Sequence, residues 1–218
     1  LTIGGALSGQ ADGDTVEIID EGSYNEGDLG VTKHRITIIH TASHLGRPKM
    51  YGVGTAGSGP TRPFNLSDVT GTVFQGLEIH SYTSYVANLN GHGASAPPFT
   101  LSGCFVHSFI DSNCRYASHS LVGTADNPHR IIDSVLYFPS NAQSSGIIAI
   151  DDSPHGHLHI KNTLLTSSHD GYLVRDYETS HTTCSFSTFI NRHASTTSIQ
   201  VQASKVINCI VSGSRDNT

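Results

Sequence analysis

A six-residue phrase that recurs along the chain constrains its fold more than any other feature. The phrase reads apolar, variable, turn-forming, small, variable, apolar. Its six copies have these turn-forming residues: Gly76, Gly103, Asp133, Asn162, Ser187 and Asn208. Successive copies are 27, 30, 29, 25 and 21 residues apart. A period of this length, with a short strand in each copy, is typical of a solenoid, in which a repeat buries its apolar face only by stacking on its neighbours.

The segments between the copies indicate which kind of solenoid forms. Second short strands are predicted at 84–90, 119–122, 146–151, 171–176 and 197–202, separated by loops rich in Gly, Ser, Asn, Asp and Pro. The leucine spacing of leucine-rich repeats and the apolar spacing of helical repeats are both missing. We therefore predict an all-β parallel β-helix of about seven rungs, spaced about 4.8 Å apart. A single domain covers residues 1–218, with 1–13 as an N-terminal cap or lead-in and 14–218 as rungs.

The opening of the chain resembles a known family. The segments 12–19, 22–27 and 33–39 read DGDTVEII, GSYNEG and KHRITII. They resemble the first rung of right-handed β-helices of the pectin-lyase-like superfamily. The resemblance implies a right-handed solenoid. It leaves the activity open, because that superfamily contains lyases, hydrolases, esterases, adhesins, phage tailspikes and inert scaffolds.

The enzyme motifs of that superfamily are not reproduced in this chain. The segment 91–93, Gly-His-Gly, and the pair Asp151 and Asp152 resemble two elements of polygalacturonases. Here the two elements come in the reverse order, and the other elements of those enzymes are missing. The resemblance therefore implies a fold but no particular catalytic activity.

Composition narrows the class of protein further. Charged residues make up 14% of the chain and the formal net charge is −6, with Lys and Arg scattered along it. Since nucleic-acid binders concentrate positive charge, we expect no nucleic-acid partner. No apolar run approaches the ~20 residues of a membrane span, and no motif requires a cofactor, so we expect neither membrane insertion nor a cofactor. Because the chain starts at Leu1 without an initiator Met or a leader, we expect a fragment or a processed product.

The four cysteines are predicted to be free thiols. Cys104 and Cys209 occupy the same slot of the repeat four rungs apart, a distance of about 19 Å that no disulfide spans. Cys184 lies three rungs from Cys104, and Cys114 lies in a loop. Free thiols fit a protein assembled in a reducing cytoplasm and used in a virion or on a surface.

One outward column of the repeat is unexpectedly apolar. Side chains alternate along a strand, so the residue before the last apolar position of each phrase faces outward. After the first phrase these residues are Phe105, Val135, Leu164, Phe189 and Ile210. Such a ridge indicates an interface. A homotrimer is favoured because it is the usual state of the tailspikes that the chain resembles, and the alternative is a loop or further chain segment covering the ridge.

Several histidines are candidate ligands. His40, His80 and His107 each follow the inward residue that ends a strand, so they are predicted to stack outward on successive rungs. They are candidates for binding glycans, with plain surface polarity as the alternative. His157 and His159 lie on one face of a strand, about 7 Å apart. They are weak metal candidates, and we predict no metal because no third ligand follows at a fixed spacing.

Two acidic residues are the candidates for catalysis. Asp151 and Asp176 end equivalent predicted strands. On adjacent rungs their carboxyl groups would lie about 5 Å apart, as in a retaining glycosidase. The alternative is that each Asp closes a strand because it forms turns readily.

These features together favour an adhesive protein over an enzyme. We expect a non-catalytic structural or adhesive β-helix module of a virion appendage or surface protein. It would present loops to cell-surface polysaccharides and form a homo-oligomer. The alternative function is a polysaccharide hydrolase or lyase acting in the lateral groove of the β-helix.

Overall fold

The computed structural model describes most of the chain. The described residues are 2–41, 46–52, 62–67, 69–83, 85–90, 99–109, 115–117, 125–138, 148–149, 157–168, 172–175, 181–192, 200–201 and 203–213.

The described residues form one short helix and 23 strands. The helix, α1, covers Ile3–Leu7. In chain order the strands are β1 Thr15–Glu17, β2 Ser23–Asn25, β3 Leu29–Val31, β4 Thr37–Ile39, β5 Lys49–Tyr51, β6 Phe64–Ser67, β7 Thr72–Gln75, β8 Glu78–His80, β9 Tyr85–Asn90, β10 Phe99–Ser102, β11 Phe105–His107, β12 Arg115–Ala117, β13 His129–Ile132, β14 Val135–Phe138, β15 Ile148–Ala149, β16 His157–Lys161, β17 Leu164–Ser167, β18 Tyr172–Arg175, β19 His181–Ser185, β20 Thr188–Asn191, β21 Gln200–Val201, β22 Lys205–Ile207 and β23 Ile210–Gly213.

Successive turns of the chain add strands in rotation to the three sides of a solenoid. The first sheet has the order β1-β4-β7-β10-β13-β16-β19-β22, and the second has β2-β5-β8-β11-β14-β17-β20-β23. The third side consists of a four-stranded sheet, β12-β9-β6-β3, and a three-stranded sheet, β15-β18-β21. All strand pairs among the described residues are parallel. The predicted parallel β-helix is therefore confirmed.

Two columns of inward side chains form much of the core. The column of the first sheet contains Phe74, Leu101, Ile131, Ile160 and Cys184. The column of the second sheet contains Ile79, Val106, Leu136, Leu165 and Phe189. All of these side chains are at most 1% exposed. Burying one large apolar side chain contributes roughly 1.5–3 kcal/mol, so the stacked columns account for much of the stability.

A single left-handed residue makes the corner between the first and second sheets. In successive rungs the corner residues are Gly76, Gly103, Asp133, Asn162, Phe186 and Asn208, with φ between 47° and 73°. Gly, Asn and Asp adopt this conformation at low cost. The predicted fifth corner, Ser187, is wrong by one residue because Phe186 takes that position. The shift turns Phe189 inward instead of Ile190, since a change of one residue exchanges the two faces of a strand.

A ladder of small polar side chains lies directly after these corners. It contains Cys104, Ser134, Thr163, Ser187 and Cys209, and each side chain donates a hydrogen bond to the backbone carbonyl two residues before it. Three of the distances are 2.7 Å for Ser134, 2.9 Å for Thr163 and 2.8 Å for Ser187. Small polar residues suit this slot, because they fit the interior beside the corner and satisfy their own polar atoms there, although the buried Leu77 occupies it after Gly76.

The two ends of the solenoid differ. At the N-terminal end α1 packs against β1 and β3. Its first backbone N–H groups, on Ile3 and Gly4, each donate to the Glu26 carboxylate at 2.7 Å. At the other end Val206 and Val211 occupy the inner columns but are 49% and 43% exposed. Strands β22 and β23 pair with β19 and β20 on one side, and no described strand pairs with their other side, so these apolar side chains are partly exposed.

The cysteines that the structure describes carry no disulfide. Cys104, Cys184 and Cys209 are free, and the first two are buried. Burial raises the pKa of the Cys104 thiol to about 11, so it remains protonated at neutral pH. Cys114 lies outside the described residues. Within the described parts of the chain, no helix has the length and apolar character needed to cross a membrane.

Candidate functional site

The outer face of the second sheet carries the most distinctive arrangement of polar and aromatic side chains. Strands β5, β8 and β11 have three residues each, so each buries its central side chain and turns its other two outward. The parallel register aligns these outward residues in two columns. One runs from Lys49 through Glu78 to Phe105, and the other from Tyr51 through His80 to His107.

Four rings on this face form a continuous stack, which we call the ring stack: Tyr51, His80, His107 and Phe105. The rings of Tyr51 and His80 lie 5.8 Å apart at 11°, and those of His80 and His107 lie 5.1 Å apart at 13°. Phe105 stacks on His107 with centroids 4.3 Å apart. The predicted stacking of His80 on His107 is therefore present. The nearly parallel planes leave the ring edges, with their nitrogen and hydroxyl groups, directed away from the stack.

Hydrogen bonds fix the His107 ring within this stack. Its Nε2 lies 3.1 Å from Oε1 of Glu78, and its Nδ1 lies 2.7 Å from the hydroxyl of Ser108. An ionised carboxylate can only accept, so Nε2 carries a proton and donates to Glu78. The same local contact recurs one rung earlier, where Nδ1 of His80 lies 2.9 Å from the Ser81 hydroxyl. The repetition indicates that His-Ser contacts hold the rings in position.

Burial, together with neighbouring charges, keeps the His80 imidazole neutral. Burial lowers the pKa of His80, with a further contribution from the positive charge that His107 can carry, and Glu78 only partly opposes the shift. His80 is therefore neutral at pH 7, and because Nδ1 is bonded to Ser81, Nε2 is the ring nitrogen that remains for a ligand. Lys49 and Glu78 are neighbours in the column next to that of His80. The face thus combines a cation, a carboxylate, neutral imidazole and a phenol within two neighbouring rungs.

His40 does not belong to this column, and its predicted outward stacking on His80 is wrong. It directly follows β4 of the first sheet and is only 6% exposed, with Nδ1 lying 2.6 Å from the carbonyl oxygen of Ile18. Residues 40–48 separate β4 from β5, whereas a two-residue corner joins the two sheets in later rungs. The longer connection leaves His40 on the first sheet, and Tyr51 takes the outward position next to His80.

The predicted apolar ridge is present with one member exchanged. Phe105, Val135 and Leu164 align on successive rungs, and each is half-buried. Thr188 and Ile210 follow them, and Ile210 is 64% exposed. We call Phe105, Val135, Leu164 and Ile210 the apolar column.

Phe189 was predicted to be part of this ridge, and that prediction is wrong. It pairs with Leu165 and is fully buried in the solenoid, because the corner falls at Phe186. Thr188 therefore occupies the outward position of its rung. The apolar column is interrupted by one polar residue between Leu164 and Ile210.

The remaining predicted site residues are placed elsewhere or lie outside the described residues. Asp151 and Asp176 lie outside them. His157 and His159 lie on the outer face of the first sheet, where His157 is 4.8 Å from the ring of His181 on the next rung. Among the described residues, no group of three or more His, Cys, Asp or Glu side chains could hold a metal ion.

No known protein family, curated protein or solved structure matches the chain. The function is therefore inferred from the geometry of the outer faces. Sequence reasoning missed Tyr51 because the second rung has no copy of the six-residue phrase. It assigned no role to Glu78, since the hydrogen bond from His107 to Glu78 joins two rungs and two columns.

Proposed function

We propose that this chain is a non-catalytic, adhesive β-helix module that binds a glycan along the outer face of the second sheet. The observation that carries the proposal is the ring stack flanked by Lys49 and Glu78. Sugar-binding faces combine apolar ring surface with a few fixed polar groups, and the stack supplies both. A polysaccharide is itself a linear repeat. Donors and acceptors repeated on successive rungs can therefore meet successive sugar units.

Preorganisation supports a binding role for this face. The rings of His80 and His107 are held by each other and by their serine partners. A ligand therefore orders few side chains when it binds, which lowers the entropic cost of association. Flexible surface side chains would instead lose conformational freedom when a ligand binds.

The same proposal includes the class of protein. The first-rung segments 12–19, 22–27 and 33–39, together with the parallel solenoid, support membership of the pectin-lyase-like superfamily and a tailspike-like or adhesin-like role. Buried free thiols at Cys104 and Cys184 support assembly in a reducing cytoplasm, before use in a virion or on a surface.

The apolar column supports a homo-oligomer, with a trimer as the favoured state. It runs along the second sheet beyond the ring stack, where Val135 and Leu164 are half-buried and Ile210 is exposed. An apolar strip on an outer sheet face, here interrupted only by Thr188, is a candidate contact surface. Three solenoids packed side by side would present equivalent strips to one symmetry axis.

Glycan binding is tested with a panel of neutral and acidic polysaccharides by calorimetry. We expect at least one to bind, and we expect Tyr51→Ala combined with His80→Ala to weaken it about tenfold, because two ring contacts are lost. The matched control is Tyr172→Ala, which removes an aromatic ring from the third side. Its affinity should match that of the unmodified protein. Failure to bind any member of the panel, or equal affinity in the double variant, would contradict the proposal.

The same incubations distinguish the proposal from a polysaccharide hydrolase or lyase. Products are assayed for new reducing ends and for the unsaturated sugar that a lyase leaves. We expect neither. Depolymerisation by the unmodified protein that is abolished in Asp151→Asn or Asp176→Asn would replace the adhesive function with a catalytic one.

A further inference from the structure

The outer face of the first sheet is rich in basic side chains in its C-terminal half. Four consecutive strands, β13, β16, β19 and β22, read HRII, HLHIK, HTTCS and KVI. They contain no acidic residue. Their outward basic side chains, which we call the cationic face, are Arg130, His157, His159, Lys161, His181 and Lys205.

The strand register gathers these side chains into a compact grid. Arg130 aligns with His159, His159 with Thr183, and Thr183 with Lys205. In the neighbouring column His157 aligns with His181, and their rings are 4.8 Å apart. At about 4.8 Å between strands and about 6.6 Å between alternate residues, the grid covers roughly 14 Å by 13 Å.

Most of these side chains are exposed: His159, Lys161, His181 and Lys205 are exposed, and Arg130 and His157 are half-buried. The ion pairs seen among the described residues join Arg62 to Asp28 and His107 to Glu78, and neither involves Arg130, Lys161 or Lys205. Burial lowers the pKa of His159, and the positive charge of the neighbouring Arg130 lowers it further. A bound anion would relieve the repulsion between Arg130 and a protonated His159.

The concentration of positive charge runs against the composition of the protein. The chain has a formal net charge of −6, yet no Asp or Glu lies in these four strands. Like charges on neighbouring strands destabilise a sheet. A polyanion lying across the grid would offset that cost, whereas a neutral ligand would not.

We propose that the cationic face binds a sulfated polysaccharide. This site is separate from the glycan site of the second sheet and does not depend on it. Strand β16 alone places three basic side chains on the outer face within one rung: His157, His159 and Lys161. Such a density matches a chain with more than one anionic group per sugar, as sulfated polymers have, better than a uronate chain with one carboxylate per sugar.

A nucleic acid fits this face less well. Proteins that bind single strands stack bases on aromatic rings, and these four strands contain no Phe, Tyr or Trp.

The test compares three polymers: heparin as the sulfated probe, polygalacturonate as the uronate probe and a DNA oligonucleotide. Binding is measured at pH 6 and at two salt concentrations. We expect heparin to bind most tightly and to weaken with salt. We expect Arg130→Gln combined with Lys205→Gln to lose about tenfold or more in heparin affinity. The charge-matched control, Lys33→Gln combined with Arg35→Gln, changes two exposed cations in the second rung and should keep its affinity.

The pH dependence provides a second readout. The groups facing the three histidines of the grid are Arg130 on β13, Lys161 on β16, Thr183 on β19 and Lys205 on β22. Heparin affinity should rise as pH falls from 8 to 5.5, because His159, which is next to Arg130 and Lys161, gains a proton over the lower part of this range. This rise should shrink in His159→Gln.

Each alternative result has a definite meaning. Lack of heparin binding, or an unchanged affinity in the Arg130 and Lys205 variant, overturns the proposal. Equal binding of polygalacturonate overturns the assignment to sulfate, and tighter binding of DNA overturns the assignment to a polysaccharide. The Tyr51 and His80 variant should bind heparin normally, so failure of the second-sheet site leaves this test unaffected.

Discussion

The most deeply buried of the described histidines is held neutral by its surroundings. His129 is fully buried between two rings, with its centroid 4.1 Å from Phe99 and 5.5 Å from Tyr116. Its Nδ1 accepts from the Phe99 backbone N–H at 3.3 Å, so Nε2 carries the proton and donates to the Tyr116 hydroxyl oxygen at 3.1 Å. Burial, with a smaller contribution from Arg130, lowers the pKa of His129 to about 3. The imidazole thus serves as a polar core residue with both nitrogens satisfied.

This histidine should make the protein less stable in acid. The unfolded chain binds a proton to His129 near its ordinary pKa of about 6.5, while the folded protein resists protonation until about pH 3. The free energy of unfolding should therefore fall as pH drops from about 6.5 towards 3. The slope of this fall corresponds to the uptake of at most one proton when the protein unfolds. Denaturant titrations at several pH values measure it. His129→Phe should flatten the slope relative to exposed His181→Gln, and identical slopes in the two variants would contradict the assignment.

Among the elements, the corner between the first and second sheets contains one residue of an unfavourable type. At five of the six corners the left-handed residue is Gly, Asp or Asn, and the Asn162 side chain donates to Asp133 at 2.8 Å. Phe186 adopts the same conformation with φ of 50°, and its ring is 58% exposed. A residue with a bulky side chain is strained there by about 1–2 kcal/mol. Its exposed ring regains little of this cost by burial.

Replacing Phe186 with Asn should therefore stabilise the protein. We expect Phe186→Asn to raise the free energy of unfolding by about 1 kcal/mol, or the melting temperature by about 2–4 °C for a chain of this length. Calorimetry measures the change. The reciprocal control, Asn162→Phe, adds strain and removes the bond to Asp133, so it should destabilise. A lower melting temperature in Phe186→Asn would show that the exposed ring has a stabilising contact.

At the scale of the whole molecule, the outer faces differ in chemistry along the axis. On the second sheet the ring stack lies towards the N-terminal end and most of the apolar column lies beyond it. On the first sheet the cationic face occupies the C-terminal half. A solenoid can carry several binding surfaces in this way, because each rung contributes residues to every face and contacts mainly the rungs next to it.

The apolar column should hold the proposed oligomer together. Light scattering on the unmodified protein should give an oligomer, with a trimer favoured, and Val135→Asp combined with Leu164→Asp should give monomers or aggregates. Each change would place a charge in an apolar contact, which is strongly unfavourable. The control is Ile132→Asp, since Ile132 is a half-buried apolar residue facing outward on the first sheet. A monodisperse monomer of the unmodified protein would remove the support for an interface at this column.

The candidate site was only partly predictable from the sequence. The period of the phrase placed His80 and His107 on equivalent positions of adjacent rungs, and the rings do stack. Tyr51 and the partnership of Glu78 with His107 could not be predicted, because they depend on which residues of different rungs become neighbours. His40 has the same local pattern as His80, yet the longer connection after it leaves it on another sheet.

The sequence by itself determined the solenoid, because a period-two apolar pattern between regularly spaced turn-formers is satisfied only by stacking. Only the tertiary structure decided the corner at Phe186. The local pattern reads equally well with Ser187 there, and Phe is an unfavourable residue for the conformation. Stacking on Asn162 and Asn208 overrides that preference, because slipping by one residue would expose Phe189 to water and bury Ile190 in its place. The conformational preference of one residue determines the position of a corner only where it agrees with the side-chain packing of the neighbouring rungs.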